Sequence, residues 1–278
     1  MVKNEEDFIS HFLDHNLPIF DEATIIDNGS TDSTLEILKK YESNCNIIKY
    51  NKGYETKGQF CSELMRNSKS DILFPLDADE LIVHDDGESN SISKNQSKIR
   101  NYLQKLETPE DGAIFKIRKT LQKHPESEGW WGLNPWPKVF FTKNGFVETD
   151  QGNHNGKVKS NSDPIVSNLS LIDNRFFSKE YWEKRQIEKL KCRLGEKWND
   201  PNALISYRGA DMHSAIEYAS YLGIKKCRTC KEIMPSENFG LGRVACKKCI
   251  PNVKDKFSEG RGIWCTIKRE IHVELSSS

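Results

Sequence analysis

The sequence predicts an α/β domain on a mostly parallel sheet, followed by a small cysteine-rich module. Three observations carry this. Short apolar runs alternate with stretches of helical period over the first 76 residues. Acidic turns follow directly on two of those runs, at Asp27 and Asp77. Four of the eight cysteines crowd into a basic segment near the C-terminus.

The elements follow in order. Between Asn4 and Asn16 a helical period places Phe8, Ile9, Phe12 and Leu13 on one face. Pro18 restricts Leu17 and ends that helix. Ala23-Thr24-Ile25-Ile26 reads as a buried strand and Asp27-Asn28-Gly29-Ser30 as a turn. Residues 31–34 open a second helix, with Ser30 or Thr31 as N-cap and Leu35, Ile37, Leu38 and Tyr41 on its apolar side. Residues 46–50 form a strand, 58–68 a helix, and 71–76 a strand that delivers Asp77. Open sheets of this kind bind ligands at the carboxyl ends of their strands, where Asp27 and Asp77 both stand. Residues 84–97 are polar and read as a mobile loop. Further strands are predicted over 113–118 and 137–142, a long amphipathic helix over 178–194, and an added strand within 263–275. The expected organisation is a main domain over 1–222, the cysteine module over 223–254 and a tail over 255–278.

The bulk properties exclude several classes. Formal net charge is zero, so overall charge points neither to nucleic acid nor to a membrane surface. No stretch approaches the ~20 apolar residues of a membrane span. The N-terminus lacks the apolar core of a signal peptide, and the expected location is cytoplasmic. Four scattered cysteines beside four at metal-site spacing fit a reducing compartment better than a disulfide framework.

The strand over 71–76 leads into Asp77-Ala78-Asp79-Glu80. Two carboxylates spaced Asp-x-Asp at a strand end suit a divalent cation, because Mg²⁺ and Mn²⁺ prefer oxygen ligands and keep positions open for phosphate. Such a cation neutralises a departing diphosphate. Alone, an acidic triplet is usually a solvated loop; its place after a buried strand gives it weight.

Three motifs in order, Val2-Lys3-Asn4-Glu5-Glu6, residues 25–34 around Asp27-Asn28-Gly29-Ser30, and Phe74-Pro75-Leu76-Asp77-Ala78-Asp79-Glu80, resemble the family 2 glycosyltransferases. The likeness is to a bacterial and viral branch with a Lys-Asn-Glu opening and a Leu-Asp-Ala-Asp-Glu motif. Gly53-Tyr54 and Gln151-Gly152-Asn153-His154 add to it, and it covers about residues 1–190. The resemblance implies a GT-A, Rossmann-like fold and an inverting transfer of a sugar from a nucleotide-diphosphate donor to a hydroxyl on a glycan, lipid-linked sugar or surface polymer. It implies that Asn4, Glu5, Asp27 and Asn28 lie near the nucleotide, that Asp77 reaches the ribose or the metal, and that Asp79 ligates Mn²⁺ or Mg²⁺. His154 becomes a third metal ligand or a diphosphate contact, and Lys138 a point charge for phosphate. Two departures stand out. Only Met1-Val2 precedes the Lys-Asn-Glu segment where the family has a full strand, which reads as a truncated first strand or a start downstream of the true one. Residues 172–178 lack the family's His and Arg-Ser.

An inverting transfer needs a base on the acceptor hydroxyl. Glu126, Glu128, Glu148 and Asp150 are the candidates, with Glu128 and Asp150 carried forward. Glu128 precedes Gly129-Trp130-Trp131-Gly132, whose aromatics read as a sugar platform or equally as core.

Cys227-x2-Cys230 and Cys246-x2-Cys249, fifteen residues apart, form two knuckles. Four thiolates select Zn²⁺, with an iron–sulfur site or two redox Cys-x-x-Cys pairs as the alternatives, and a site filled by protein ligands is structural. A module this small takes its folding energy from the metal. The pattern looks like a zinc ribbon. Residues 223–254 carry eight basic and two acidic residues, net +6. Contact with nucleic acid or with a protein partner is therefore an open reading. Two alternatives for the whole chain follow: a viral glucosyltransferase of DNA bases that grips DNA through the ribbon, or a non-catalytic scaffold.

Overall fold

The protein is described from a computed structural model, which covers residues 1–52, 56–85, 91–117, 120–123, 131–134, 138–174, 178–206, 218–219, 222–227, 229–239, 246–249 and 272–274. The chain divides into two compact units, Met1–Phe177 with Ile267–Ser278, and Ser178–Thr266.

The first unit opens with α1 (Ile9–Asn16). The predicted face is buried in full: Phe8, Ile9 and Leu13 are inaccessible and Phe12 nearly so. Each such side chain contributes about 1.5–3 kcal/mol of burial free energy. The helix begins later than its periodicity suggests, because residues 5–8 form a turn with Ile9 N–H donating to Glu5 O at 2.8 Å. Strand β1 (Thr24–Asp27) pairs in parallel with β2 (Asn46–Lys49), and α2 (Thr34–Lys39) lies between them in sequence. Val2 bridges Asp27 in parallel on the other side of β1: its N–H donates to Ile26 O at 2.7 Å and its carbonyl accepts from Asn28 N at 2.9 Å. The N-cap of α2 is Ser33, not Ser30 or Thr31, and the Asp32 carboxylate accepts from Thr34 N at 3.0 Å.

Helix α3 (Lys57–Asn67) precedes β3, which is only Ile72–Leu73. Phe74-Pro75-Leu76 leaves the ladder because proline has no N–H to donate. Strands β4 (Glu80–Asp85) and β5 (Ser91–Ser93) then pair antiparallel, and α4 (Gln96–Leu103) follows with an Asn95 cap. The polar segment 84–97, predicted to be a loop, therefore contributes to two strands and a helix start; residues 86–90 lie outside the described part. Next come β6 (Ile114–Lys116), β7 (Thr120–Lys123), β8 (Trp131–Asn134), β9 (Val139–Thr142), β10 (Phe146–Thr149), β11 (Gly156–Val158), β12 (Ile165–Val166) and β13 (Leu169–Asp173).

The strands build a four-stranded sheet in the order β12-β6-β9-β3. A second sheet runs β5-β4-β13-β7-β8, and β16 (His272–Glu274) adds in parallel to β5, at the predicted extra strand. The fold is mixed α/β: β1–β2 form a separate parallel pair, and the parallel pairs β12–β6 and β13–β7 are continued by antiparallel ladders. One core lies among these elements, with Ile82, Ile99, Phe115, Phe140, Leu169 and Leu171 at its centre. Phe74 stacks on Phe140 at 4.7 Å and Phe140 on Phe115 at 4.9 Å. That stack fixes the chain three residues before Asp77.

The second unit holds α5 (Lys179–Leu194), capped by Ser178 Oγ accepting from Tyr181 N, and α6 (Pro201–Ser206). Its hairpin of β14 (Ile224–Lys226) and β15 (Ile233–Pro235) carries the cysteine module. Among the described residues no helix is long and apolar enough to cross a membrane.

Candidate active site

The Asp77 turn is closed on itself. Asp77 N–H donates to Glu80 Oε2 at 3.0 Å and Glu80 N–H to Asp77 O at 3.1 Å. Asn16, at the end of α1, holds β4 from behind: its Nδ2 donates to Glu80 O at 2.9 Å and its Oδ1 accepts from Ile82 N at 3.2 Å. Asn174, just past β13, fixes Asp79 by donating its N–H to Asp79 O at 2.7 Å. Neither asparagine is legible as a site residue in the sequence.

Two lysines converge on Asp77. Lys57 Nζ lies 2.6 Å from Oδ1 and Lys138 Nζ 2.5 Å from Oδ2. Lys138 Nζ also reaches Glu80 Oε1 at 3.1 Å and Gly152 O at 2.9 Å, which uses its three donors. Both lysine side chains are buried, 5% and 7% exposed, against 31% for Asp77. Burial alone raises a carboxyl, but Lys57 and Lys138 override it and hold Asp77 well below the usual carboxylate range. Glu80 behaves differently. Burial pushes it up to about 8; Lys138 opposes the shift, while Asp77 and Asp79 reinforce it. Lys138 is raised despite burial, because Glu80 and Asp77 face it.

The loop 150–155 completes this corner. Gly58, in the first turn of α3, lets the helix pack closely on this loop, since a Cβ there would meet the Asp150 carbonyl carbon and Gln151 N at a tight 3.0 Å. Ser62 ties the helix to β10 by accepting from Thr149 N at 2.9 Å. The His154 ring folds over Gly152, where a Cβ would lie 2.3 Å from His154 Cδ2. His154 N–H donates to Asp150 Oδ1 at 2.8 Å, and Asp150 is otherwise exposed. Through Gly152 O and Lys138, this loop is coupled to Asp77.

The predicted nucleotide residues form a second cluster around the β1 end. Asp27 is 2% exposed and accepts from the N–H groups of Gly29 at 3.2 Å and Ser30 at 3.3 Å. Gly29 has φ 75°, a conformation that favours glycine. Asn4, also at positive φ, donates its N–H to Ser30 Oγ at 3.0 Å and accepts from Thr31 N at 2.9 Å. Glu5 is buried and its N–H donates to Thr34 Oγ1 at 2.7 Å. The Asn28 amide faces the carbonyls of Tyr50 and Lys52, to which its nitrogen would donate at 2.7 and 2.9 Å with the amide turned over. Glu126, Glu128, Trp130 and Gly53-Tyr54 lie outside the described residues.

Lys57 belongs to none of the sequence motifs. A lysine in the first turn of a helix opposes the helix dipole. That anomaly is the signal for a fixed carboxylate partner.

Among the described residues, the only group of three or more His, Cys, Asp or Glu side chains with ligand atoms within 4.8 Å of one another is Cys227, Cys230, Cys246 and Cys249. Asp77, Asp79 and His154 do not make such a group. In the cysteine cluster Cys227 Sγ is 3.8 Å from Cys249 Sγ, and Cys230 Sγ 3.9 Å from Cys246 Sγ. A tetrahedron with metal–sulfur bonds of about 2.3 Å has edges of about 3.8 Å. Burial disfavours the Cys227 thiolate, yet the N–H groups of Cys246, Cys230 and Thr229 bring it down to about 6. The neighbouring Cys246 thiol and burial push Cys249 up to about 12. Four sulfurs this close cannot all ionise without a cation, so the cluster can bind a metal ion.

Residues 1–89 match the glycosyl transferase family 2. That span contains the Asn4-Glu5 turn, the Asp27 turn and Asp77-Ala78-Asp79-Glu80. The match gives the first 89 residues the character of a glycosyltransferase domain. No curated protein matches the chain. Among solved structures it is similar to residues 1–349 of TarS from S. aureus, with 13% identity and a TM-score of 0.41, covering 80% of this chain and 68% of that one. The same TarS fragment with UDP-GlcNAc gives 13% identity, a TM-score of 0.42 and coverage of 80% and 70%. The fragment with UDP gives 13%, 0.40, 80% and 69%.

Proposed function

We propose that this protein is an inverting glycosyltransferase that moves a sugar from a nucleotide-diphosphate donor to a hydroxyl acceptor on a glycan, lipid-linked sugar or surface polymer. The observation that carries the reading is the corner where Asp77, clamped by Lys57 and Lys138, meets the loop 150–155, within a chain whose first 89 residues match a glycosyltransferase family.

In this reading the nucleotide sits over the Asn4–Glu5 turn and the Asp27–Asn28 turn, and its diphosphate extends toward Asp77 and Asp79. The acceptor oxygen attacks the anomeric carbon as the bond from that carbon to the diphosphate oxygen breaks. A carboxylate takes the hydroxyl proton. Asp150 is the described candidate, since its exposed carboxylate sits in the loop beside Gly152; Glu128 is the other. A divalent cation, when bound, would offset charge on the leaving diphosphate. Asp79 and His154 are its proposed ligands, and Asp77 fits that role poorly because both its oxygens already face ammonium groups. The four cysteines hold a structural Zn²⁺, and the basic ribbon around them offers lysines to an acidic partner.

Thermal shift with UDP-, GDP- and dTDP-sugars tests the reading. A true donor raises the melting temperature by mass action, and release of the free nucleoside diphosphate with an acceptor follows. The absence of a shift with every donor would sink it.

A further inference from the structure

At the other end of β4 from the Asp77 turn, a cavity of about 530 Å³ opens beside α4. His84, Asn95, Lys98, Tyr102 and Lys105 are among the residues that line it. Its size is that of a small-molecule site. His84 stands four residues beyond Glu80 on β4, about 13 Å along the strand. The cavity is therefore separate from the corner built by Lys57, Lys138 and Asp77.

The lining is rich in donors, because its acceptors are used inside the protein. Asn95 Oδ1 caps α4 by accepting from Lys98 N at 3.0 Å, which leaves the Asn95 Nδ2 group to donate. Tyr102 Oη accepts from Asn168 N at 3.0 Å, which leaves its hydroxyl proton. The Tyr102 ring is held edge-on with His84, 5.7 Å between centroids. Lys98 lies on α4 and Lys105 two residues past its end, and both are exposed. Among the described residues neither ammonium group has an ion-pair partner, and no carboxylate lines the cavity. Two positive charges thus face this space without a counter-charge.

Such a surface recognises an oxyanion. Ammonium groups bind phosphate or carboxylate as point charges, and N–H and O–H donors complete its shell. One oxyanion fills only a small part of the volume. The remainder is bounded by the Tyr102 ring and the lysine stems, which offer apolar surface. Ser97 and Asn101, also in the lining, offer both donors and acceptors to hydroxyl groups. A sugar that carries a phosphate or a carboxylate combines these three demands.

We propose that this cavity binds an anionic sugar, with Lys98, Lys105 and Tyr102 holding its phosphate or carboxylate and Asn95, Ser97 and Asn101 meeting its hydroxyls. The site stands apart from the nucleotide-sugar reading of the Asp77 corner and does not depend on it.

The test uses the full chain. Glucose 6-phosphate, glucuronate, glucose and inorganic phosphate are each titrated calorimetrically at low ionic strength. The expected result is saturable binding of an anionic sugar, about tenfold or more tighter than glucose or inorganic phosphate. The tighter of the two anionic sugars identifies the anion as phosphate or carboxylate. Its Kd rises as salt screens the exposed lysines. Combining Lys98→Glu with Lys105→Glu abolishes the binding, and because both positions are exposed the fold tolerates the change. Undiminished binding in that double variant places the anion elsewhere and overturns the proposal. Inorganic phosphate binding as tightly as glucose 6-phosphate, where that is the sugar that binds, overturns it as well, since the lysines then hold an adventitious ion only. Failure of both anionic sugars up to about 10 mM has the same consequence.

Discussion

Lys138 donates to Asp77 across 2.5 Å, joining the residue before β9 to the turn after β3, 61 positions earlier. With Lys57 on the other oxygen, Asp77 is a carboxylate shared by two buried ammonium groups. Removing it leaves both without their common counter-charge. Asp77→Ala is expected to lower the stability of the first unit by about 3 kcal/mol, with Asp77→Asn costing less because the amide oxygen still accepts one bond. Urea denaturation checks this; an unchanged midpoint for Asp77→Ala would show that the lysines are satisfied by water.

Much of this corner was legible in the sequence and its wiring was not. Local patterns placed α1, β1, α3 and the Asp77 turn, because apolar period and the Asp-Asn-Gly-Ser turn act over a few residues. The resemblance implies Lys138 as a phosphate contact; its partners come from two other segments, the Asp77–Glu80 turn and the loop at Gly152, and no local signal joins them. The same holds for Asn16 and Asn174, whose amides lock β4 and Asp79 from distant elements. The polar segment 84–97 misled for another reason. Ile92 is buried on β5 while its neighbours are serines, so a short strand with one core residue carried no visible alternation.

Glu80 gives the protein a pH dependence opposite to that of Asp77. Its folded value, about 8, lies above the ordinary 4.5. Its contribution is therefore full below about 4.5 and is lost as pH rises toward 8, because the unfolded chain releases a proton that the folded chain retains. Asp77, held low, loses its contribution only as pH falls below the ordinary carboxylate range. Between pH 5 and 8 the change in stability from this pair belongs to Glu80, on the order of 3–4 kcal/mol. Glu80→Gln should flatten it. Urea midpoints for both proteins across that range decide the matter, and parallel curves would count against the assignment.

Gly152 has no room for a methyl group. A Cβ would stand 2.3 Å from His154 Cδ2 and 2.8 Å from Nε2. Gly152→Ala must turn the imidazole away, and the carbonyl that holds Lys138 shifts with it. The strain is local, so stability should fall by only about 1–2 kcal/mol. Donor binding should weaken more than stability alone explains, by about tenfold. Thermal melts alongside nucleotide titration separate the two effects. Equal donor affinity in the variant would place His154 outside the donor site.

The cysteine cluster makes a prediction independent of the sugar chemistry. The sulfur separations of 3.8 and 3.9 Å are far too long for disulfides and match the edge of a tetrahedral thiolate site. Among the described residues the supporting core is small: Phe239 and Met234 pack against the four cysteines, and the hairpin of β14 and β15 adds three residues on each strand. A bound metal is expected to supply folding energy that so small a core does not. Purified protein should contain one zinc per chain by elemental analysis. Cys227→Ser should lose it, since Cys227 Sγ also accepts from Cys230 N and Cys246 N. The module should then become protease-sensitive while nucleotide binding by the first unit persists. Full zinc content in Cys227→Ser would show that the ion sits elsewhere.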